Sequence, residues 1–296
     1  MKLIRNSVIA FLLLLTLYET VTRHVYPKLA FQGGENQWIN NYITAQEYIY
    51  DHADASVVIV GTSLSMRLYP DLLPRETFNL SFGGKSPFNG INIVLGAKTH
   101  PRALFIESNF LTANLDPEFD RGILSPWLMT PRRWMISLRD FARPVTLAKD
   151  YLKTRIDRSW SFLVGNFARE TQAAPLKGNT DIIFDRLLAD LKRRYNAKLG
   201  KDAQANLMRE LSADVAALEE RGIKVAFFEM PLNPALCETS LETAIRTLVR
   251  TQFPAEPYFR IGDCNAVKTV DGLHLSRPEA EHVTRQFVQI VREVIH

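Results

Sequence analysis

Hydrophobic positions along this chain fall into short solid runs and longer spaced series. The solid runs are Val57 to Val60, Thr77 to Leu80, Ala103 to Glu107, Val225 to Glu229 and a weaker one at Tyr258 to Ile261. Their length and β-branched or aromatic content predict buried strands. Apolar residues at helical spacing predict a helix over Gln37 to His52, through Trp38, Ile39, Tyr42, Ile43, Tyr48 and Ile49, leading into the first strand. Further helices are expected at Pro87 to Ala97, at Asp181 to Glu220 with a break near Gly200, and at Pro278 to Ile295. The last has Ser276 as a candidate N-cap and Pro278 in its first turn. Strands that alternate with helices predict an α/β fold whose parallel sheet is covered on both faces. Ligands of such folds sit at the carboxyl ends of the strands.

The alternation stops between Asp116 and Asn179. This stretch carries Trp127, Trp134 and Trp160, and from Arg132 to Arg158 it holds eight Lys or Arg against three Asp. It is expected to be a helical insertion or cap at about 116–179. The reading given more weight is a solvated helical face with its tryptophans packed inward; the alternative is a basic, aromatic surface facing a glycan or lipid headgroups. No internal repeat or low-complexity tract interrupts the chain.

The N-terminus departs from the rest. Lys2 and Arg5 precede a charge-free, leucine-rich stretch from Asn6 to Tyr18, closed by Glu19, Arg23 and His24. A spanning helix wants about 20 apolar residues and a signal-peptide core about 7 to 15, so length favours a signal peptide. However, no small-x-small cleavage site follows, and an uncleaved anchor over residues 1–23 is the preferred expectation. The positive-inside rule then puts Lys2 and Arg5 in the cytoplasm and residues 24–296 on the periplasmic or extracellular side. A buried N-terminal helix is the third possibility.

Composition changes this picture little. The chain has 296 residues, 46% hydrophobic and 23% charged, enough for one large α/β domain with an insertion. A formal charge of +4 is mildly basic; it suits anionic headgroups or acidic polymers and does not require nucleic acid, which is not expected as a partner. The two cysteines, Cys237 and Cys264, read equally as a disulfide of an exported protein, worth roughly 3 kcal/mol by loop closure, or as two buried thiols. Neither sits in a metal-ligand spacing, so no metal is assigned.

Two short segments carry the candidate chemistry. Gly61-Thr62-Ser63-Leu64 places a serine at the exit of the first strand, and Asp271-Gly272-Leu273-His274 puts a carboxylate three positions before an imidazole. A serine hydroxyl is a weak nucleophile until a base takes its proton, and the tetrahedral intermediate needs donors for its oxyanion. Ser63 would attack, His274 would be the base and Asp271 would orient it. The backbone N–H of Ser63, the backbone N–H of Gly84 and the side-chain amide of Asn109 would bind the oxyanion. Each signal has a structural counterpart: Ser63 as a helix cap, Asp271 as a local turn former, Gly83-Gly84 and Asn109 as loop residues. Ser63, Gly83-Gly84 and Ser108-Asn109 nevertheless all fall just after predicted strands, which gathers them at one edge of the sheet.

In this order (serine, glycine, asparagine, then Asp-x-x-His) the residues resemble the SGNH, or GDSL-like, hydrolase superfamily. The resemblance covers Val57 to the C-terminus outside the insertion, with Asn79 and Gly84 similar to the family's second block. It implies a three-layer α/β/α sandwich, an ester-directed active site and no cofactor. Two positions depart from the family pattern: Thr62 stands where aspartate is usual, and Glu107-Ser108-Asn109-Phe110 replaces Gly-x-Asn-Asp. With the N-terminal anchor, the chain also resembles exported members that work with membrane-bound O-acyltransferases on cell-surface polymers. The expectation is a serine esterase or O-acyltransferase acting on a cell-envelope glycan. The competing expectation is a catalytically silent glycan-binding or scaffolding partner of such an acyltransferase.

Overall fold

A computed structural model describes residues 1–25, 37–144 and 180–295. In chain order its helices and strands are α1 (Lys2–Val25), α2 (Gln37–Asp51), β1 (Val57–Val60), β2 (Thr77–Asn79), α3 (Pro87–Gly96), β3 (Ala103–Glu107), α4 (Pro117–Leu124), α5 (Pro126–Trp134), α6 (Thr180–Tyr195), α7 (Lys201–Glu219), β4 (Lys224–Glu229), α8 (Ser240–Gln252), β5 (Tyr258–Arg260) and α9 (Arg277–Ile295). All five expected strands are present within a residue or so of their predicted ends. One helix was not foreseen. In α8 the buried positions are Glu242, Ile245 and Val249, so a carboxylate occupies the stripe where an apolar residue would have signalled a helix.

The strands form one parallel sheet in the order β2-β1-β3-β4-β5. Helices cover it, as in a three-layer α/β/α sandwich. Because successive side chains alternate between faces, one face carries Val57, Ile59, Phe105 and Phe228, packed with Val283, Phe287 and Val291 of α9. The Phe287 ring lies 5.3 Å from that of Phe105 and 5.0 Å from that of Phe228. On the other face α3 reaches β1 through Gly90, where an added Cβ would come within 2.8 Å of the Val60 side chain. A capping box starts α3: the Ser86 hydroxyl accepts from the Phe88 N–H at 3.4 Å, and the Asn89 side chain accepts from the Ser86 N–H at 3.3 Å. The chain leaves β1 to pair β2 on one side and later β3 on the other. That makes the β1/β3 exit the topological switch point of the sheet.

The chain divides into two compact units. One holds the sheet, with residues 47–122 and the chain after the insertion. The other holds residues 1–46 and 123–175, of which residues 1–25, 37–46 and 123–144 are described. The expected insertion limit at 116 therefore shifts to 122. The reason is polar: the Asp120 carboxylate accepts from Asn89 at 2.7 Å and from Asn92 at 2.8 Å, and Asp116 pairs with Lys85, which ties the start of α4 to the sheet unit.

In the other unit the inward packing expected for the tryptophans does not hold for two of them. Trp127 is 88% exposed and Trp134 71% exposed. The side of α5 that is buried carries Arg132 instead, paired at 3.3 Å with Asp140, whose backbone N–H donates to Gln46 at 2.8 Å. Trp160 and the basic residues from Lys149 to Arg158 lie outside the described residues. Within α1, the 23 residues from Lys2 to His24 are long and apolar enough to cross a membrane, as an anchor or a signal sequence would be.

Candidate active site

The chain leaves β1 at Gly61, where only glycine fits: an added Cβ would lie 2.6 Å from Oε2 and 2.7 Å from Cβ of Glu107. That close approach lets Glu107, the last residue of β3, hold the next turn from beneath. Its Oε2 accepts the backbone N–H of Thr62 at 3.0 Å, the N–H of Ser65 at 3.1 Å and the Ser65 hydroxyl at 2.5 Å, while Oε1 accepts the Thr62 hydroxyl at 2.7 Å. The Thr62 side chain and carbonyl in turn accept the N–H groups of Leu64 at 3.3 Å and Met66 at 3.0 Å. Between Thr62 and Met66, the Ser63 N–H is then the one backbone donor left without a hydrogen bond among the described residues. The turn thus presents both the Ser63 hydroxyl and the Ser63 N–H.

Glu107 is fully buried. Burial pushes its carboxyl above the usual carboxylate range; the hydrogen bonds from Ser65 and Thr62 pull the other way without cancelling it. In the sequence, Glu107 stands out only as a departure from a motif. The available signal was a charged residue closing a wholly apolar strand.

The second half of the site precedes α9. Asp271 Oδ1 accepts the N–H groups of Leu273 at 3.1 Å and His274 at 2.8 Å, which closes the chain into an Asx turn. Gly272 takes a φ of +89° there, and a Cβ would lie 3.0 Å from Leu191 Cδ1. A bridge between Thr269 and Leu275 closes the base of the loop. Within this turn the His274 Nδ1–H donates to Asp271 Oδ2 at 2.6 Å. On the far side of the ring, Nε2 accepts from the Ser63 hydroxyl at 2.8 Å, across 211 positions of sequence. With Nδ1 committed to Asp271, Nε2 is the ring nitrogen that faces the Ser63 hydroxyl. For Asp271, partial burial acts to raise the pKa, but the bonds from His274 and from the Leu273 backbone outweigh it and hold the carboxyl below its usual range.

The proposed oxyanion donors separate. Phe82 N–H donates to the Gly61 carbonyl at 3.0 Å, so the loop after β2 runs beside the Ser63 turn. Gly84 lies two residues further on, with a φ of +67° and no hydrogen bond on its N–H among the described residues. Asn109 is committed elsewhere: its amide donates to the Met230 carbonyl at 3.1 Å and to Glu242 Oε2 at 3.2 Å, and its Oδ1 accepts the Met230 N–H at 2.8 Å. In this arrangement Asn109 ties the exits of β3 and β4 together, and its amide does not reach for the oxyanion. Asn79, from the same motif set, donates to the Ser65 carbonyl at 2.8 Å and supports the Ser63 turn.

A disulfide joins Cys237 to Cys264 and links the segment after β4 to the chain leading into the Asp271 turn. No group of three or more His, Cys, Asp or Glu among the described residues is arranged to hold a metal. A surface cavity lined by Ser56, Glu76, Arg102 and Arg292 lies at the opposite, amino-terminal edge of the strands. No protein-family model matches the chain, and no curated protein matches its sequence.

Proposed function

We propose that this chain is a serine esterase or O-acyltransferase that forms an acyl-enzyme on Ser63. The observation that carries the reading is the continuous line of hydrogen bonds from Ser63 Oγ through His274 to Asp271, at 2.8 Å and 2.6 Å. A protein that only binds has no use for a serine, an imidazole and a buttressing carboxylate in that order. As Ser63 Oγ attacks an acyl carbonyl carbon, its proton passes to His274 Nε2. The carbonyl oxygen takes the negative charge and meets the N–H groups of Ser63 and Gly84. Asp271 holds the imidazolium that results. Collapse expels the alcohol of the ester, which leaves with the proton from Nε2, and Ser63 keeps the acyl group. A sugar hydroxyl or water then gives its proton to His274 and takes the acyl group, which makes the outcome transfer or hydrolysis.

The order of the motifs supports membership of the SGNH superfamily. The disulfide supports an oxidising compartment for the sheet unit, and α1 supports attachment to a membrane with that unit outside. Together they favour an ester of a cell-envelope glycan as substrate, with a membrane-bound O-acyltransferase as the source of acyl groups. The test is chemical. A fluorophosphonate probe should label the protein and p-nitrophenyl acetate should be turned over, both falling by about 10³-fold or more in Ser63→Ala. Native protein that behaves like this variant would sink the enzyme and leave a silent scaffold. A sugar acceptor that speeds release of p-nitrophenol would favour transfer over hydrolysis.

A further inference from the structure

Trp127 and Trp134 lie seven positions apart on α5, which is nearly two full helical turns, so both fall on the same side of that helix. Both are exposed, together with Leu128 and, in the turn that follows, Leu138. Monomeric proteins rarely leave so much aromatic and aliphatic surface in one place without a use for it. The opposite side of α5 is held down by polar bonds: Arg132 pairs with Asp140, and the Arg139 guanidinium donates to the Arg132 carbonyl at 3.1 Å. The outward side is therefore fixed in its direction by the packing beneath it.

The same segment is fastened to the end of α1. Glu19 of α1 accepts the backbone N–H groups of Ile136 at 3.1 Å and Ser137 at 2.9 Å, Arg23 donates to the Trp134 carbonyl at 2.5 Å, and the Tyr18 hydroxyl donates to the Ala142 carbonyl. At 1.5 Å per residue the stretch from Lys2 to His24 is about 34 Å long, close to the roughly 30 Å of a bilayer's hydrocarbon core. If α1 spans, Glu19 and Arg23 lie where hydrocarbon gives way to headgroups. Residues bonded to them lie at the same depth. Tryptophan is the side chain most suited to that layer, with an apolar ring and one N–H for the polar side, and an exposed Arg133 beside Trp134 suits anionic headgroups.

We infer that the Trp127 and Trp134 side of α5 seats in the headgroup layer of the membrane that α1 crosses, a second contact that stops the chain from swinging on a single helix. The inference rests on α1 being an anchor. The experiment therefore reads anchoring and seating separately. Full-length protein is reconstituted into vesicles of zwitterionic and anionic phospholipid, with and without lipids brominated close to the headgroup. Flotation reports anchoring. Quenching of tryptophan emission by the brominated lipid, compared between native protein and the Trp127→Phe/Trp134→Phe double variant, reports seating. The expected result is that both proteins float and that the native protein loses a much larger share of its emission. Flotation with equal quenching in the two would overturn the seat and leave the anchor standing. Protein that does not float would overturn the anchor and the seat with it. A change in native emission caused by a soluble acidic polysaccharide, without quenching by brominated lipid, would overturn the lipid seat in favour of a glycan surface.

Discussion

The two turns that meet at the candidate site are built in opposite ways. The Ser63 turn is held from outside by a buried carboxyl 42 to 45 positions away in sequence, and a side chain at Gly61 would break that grip. The Asp271 turn holds itself: the carboxylate that orients His274 also accepts the N–H groups of Leu273 and His274. Its side chains are partly open to solvent, at 39% for Asp271 and 19% for His274, whereas Glu107 is fully buried. Ser63 is fixed by the fold, and His274 by its own loop. A defect in the first should therefore damage folding and chemistry together, and a defect in the second should damage chemistry alone.

The sharpest way to break that contrast is Asp271→Asn. The amide would leave His274 free to take the wrong tautomer, and turnover of p-nitrophenyl acetate should drop by about 10³- to 10⁴-fold. The urea midpoint should fall only slightly, by the small share of stability that the partly exposed carboxylate gives, because the turn can re-form around the amide oxygen. A large loss of stability here would show that the two turns are not separable. Glu107→Ala is the converse. It strands the backbone N–H groups of Thr62 and Ser65 and the Thr62 hydroxyl in a buried space, while the Ser65 hydroxyl keeps Ser81 at 2.8 Å, and should cost about 3 kcal/mol of unfolding free energy, with activity falling as well. An unchanged midpoint would dismiss the clamp.

Reducing the Cys237–Cys264 bridge, or replacing both cysteines by alanine, should cost about 3 kcal/mol, read as a lower Tm. The smallest effect sharpens the account of Glu107. Its pKa in the folded protein lies above the ordinary carboxylate value, so the folded state holds that proton more tightly than the unfolded chain does. Stability from this group is present below about pH 4.5 and declines as pH rises through the raised folded value. Glu107→Gln should remove that decline from the pH–stability curve and leave the acid limb, to which Asp271 contributes, in place. For Asp271 the sign is reversed: its lowered pKa gives stability that is lost as pH falls.

How much of this the sequence revealed follows from the same contrast. Val57 to Val60, Ala103 to Glu107 and the break at Gly200 were legible because each is a local run or a local interruption. The Asp271 turn was legible for the same reason, since its carboxylate and imidazole are three positions apart. The role of Glu107 was not: its four bonds reach across strands, and nothing within a window of neighbours announces them. Asn109 misled because its position after a strand fits an oxyanion donor, while its partners Met230 and Glu242 lie more than a hundred residues on. Trp127 and Trp134 were expected inside because large rings usually are; the pairing of Arg132 with Asp140 on the opposite side of α5 turned them out.

Ser63 and His274 bond across most of the polypeptide, and this has a bearing on biosynthesis. A ribosome releases the serine long before His274 is made, so the hydrogen bond between them closes only when the later turn has emerged and docked. On the proposed function, turnover of an ester would then report that the two distant turns have docked.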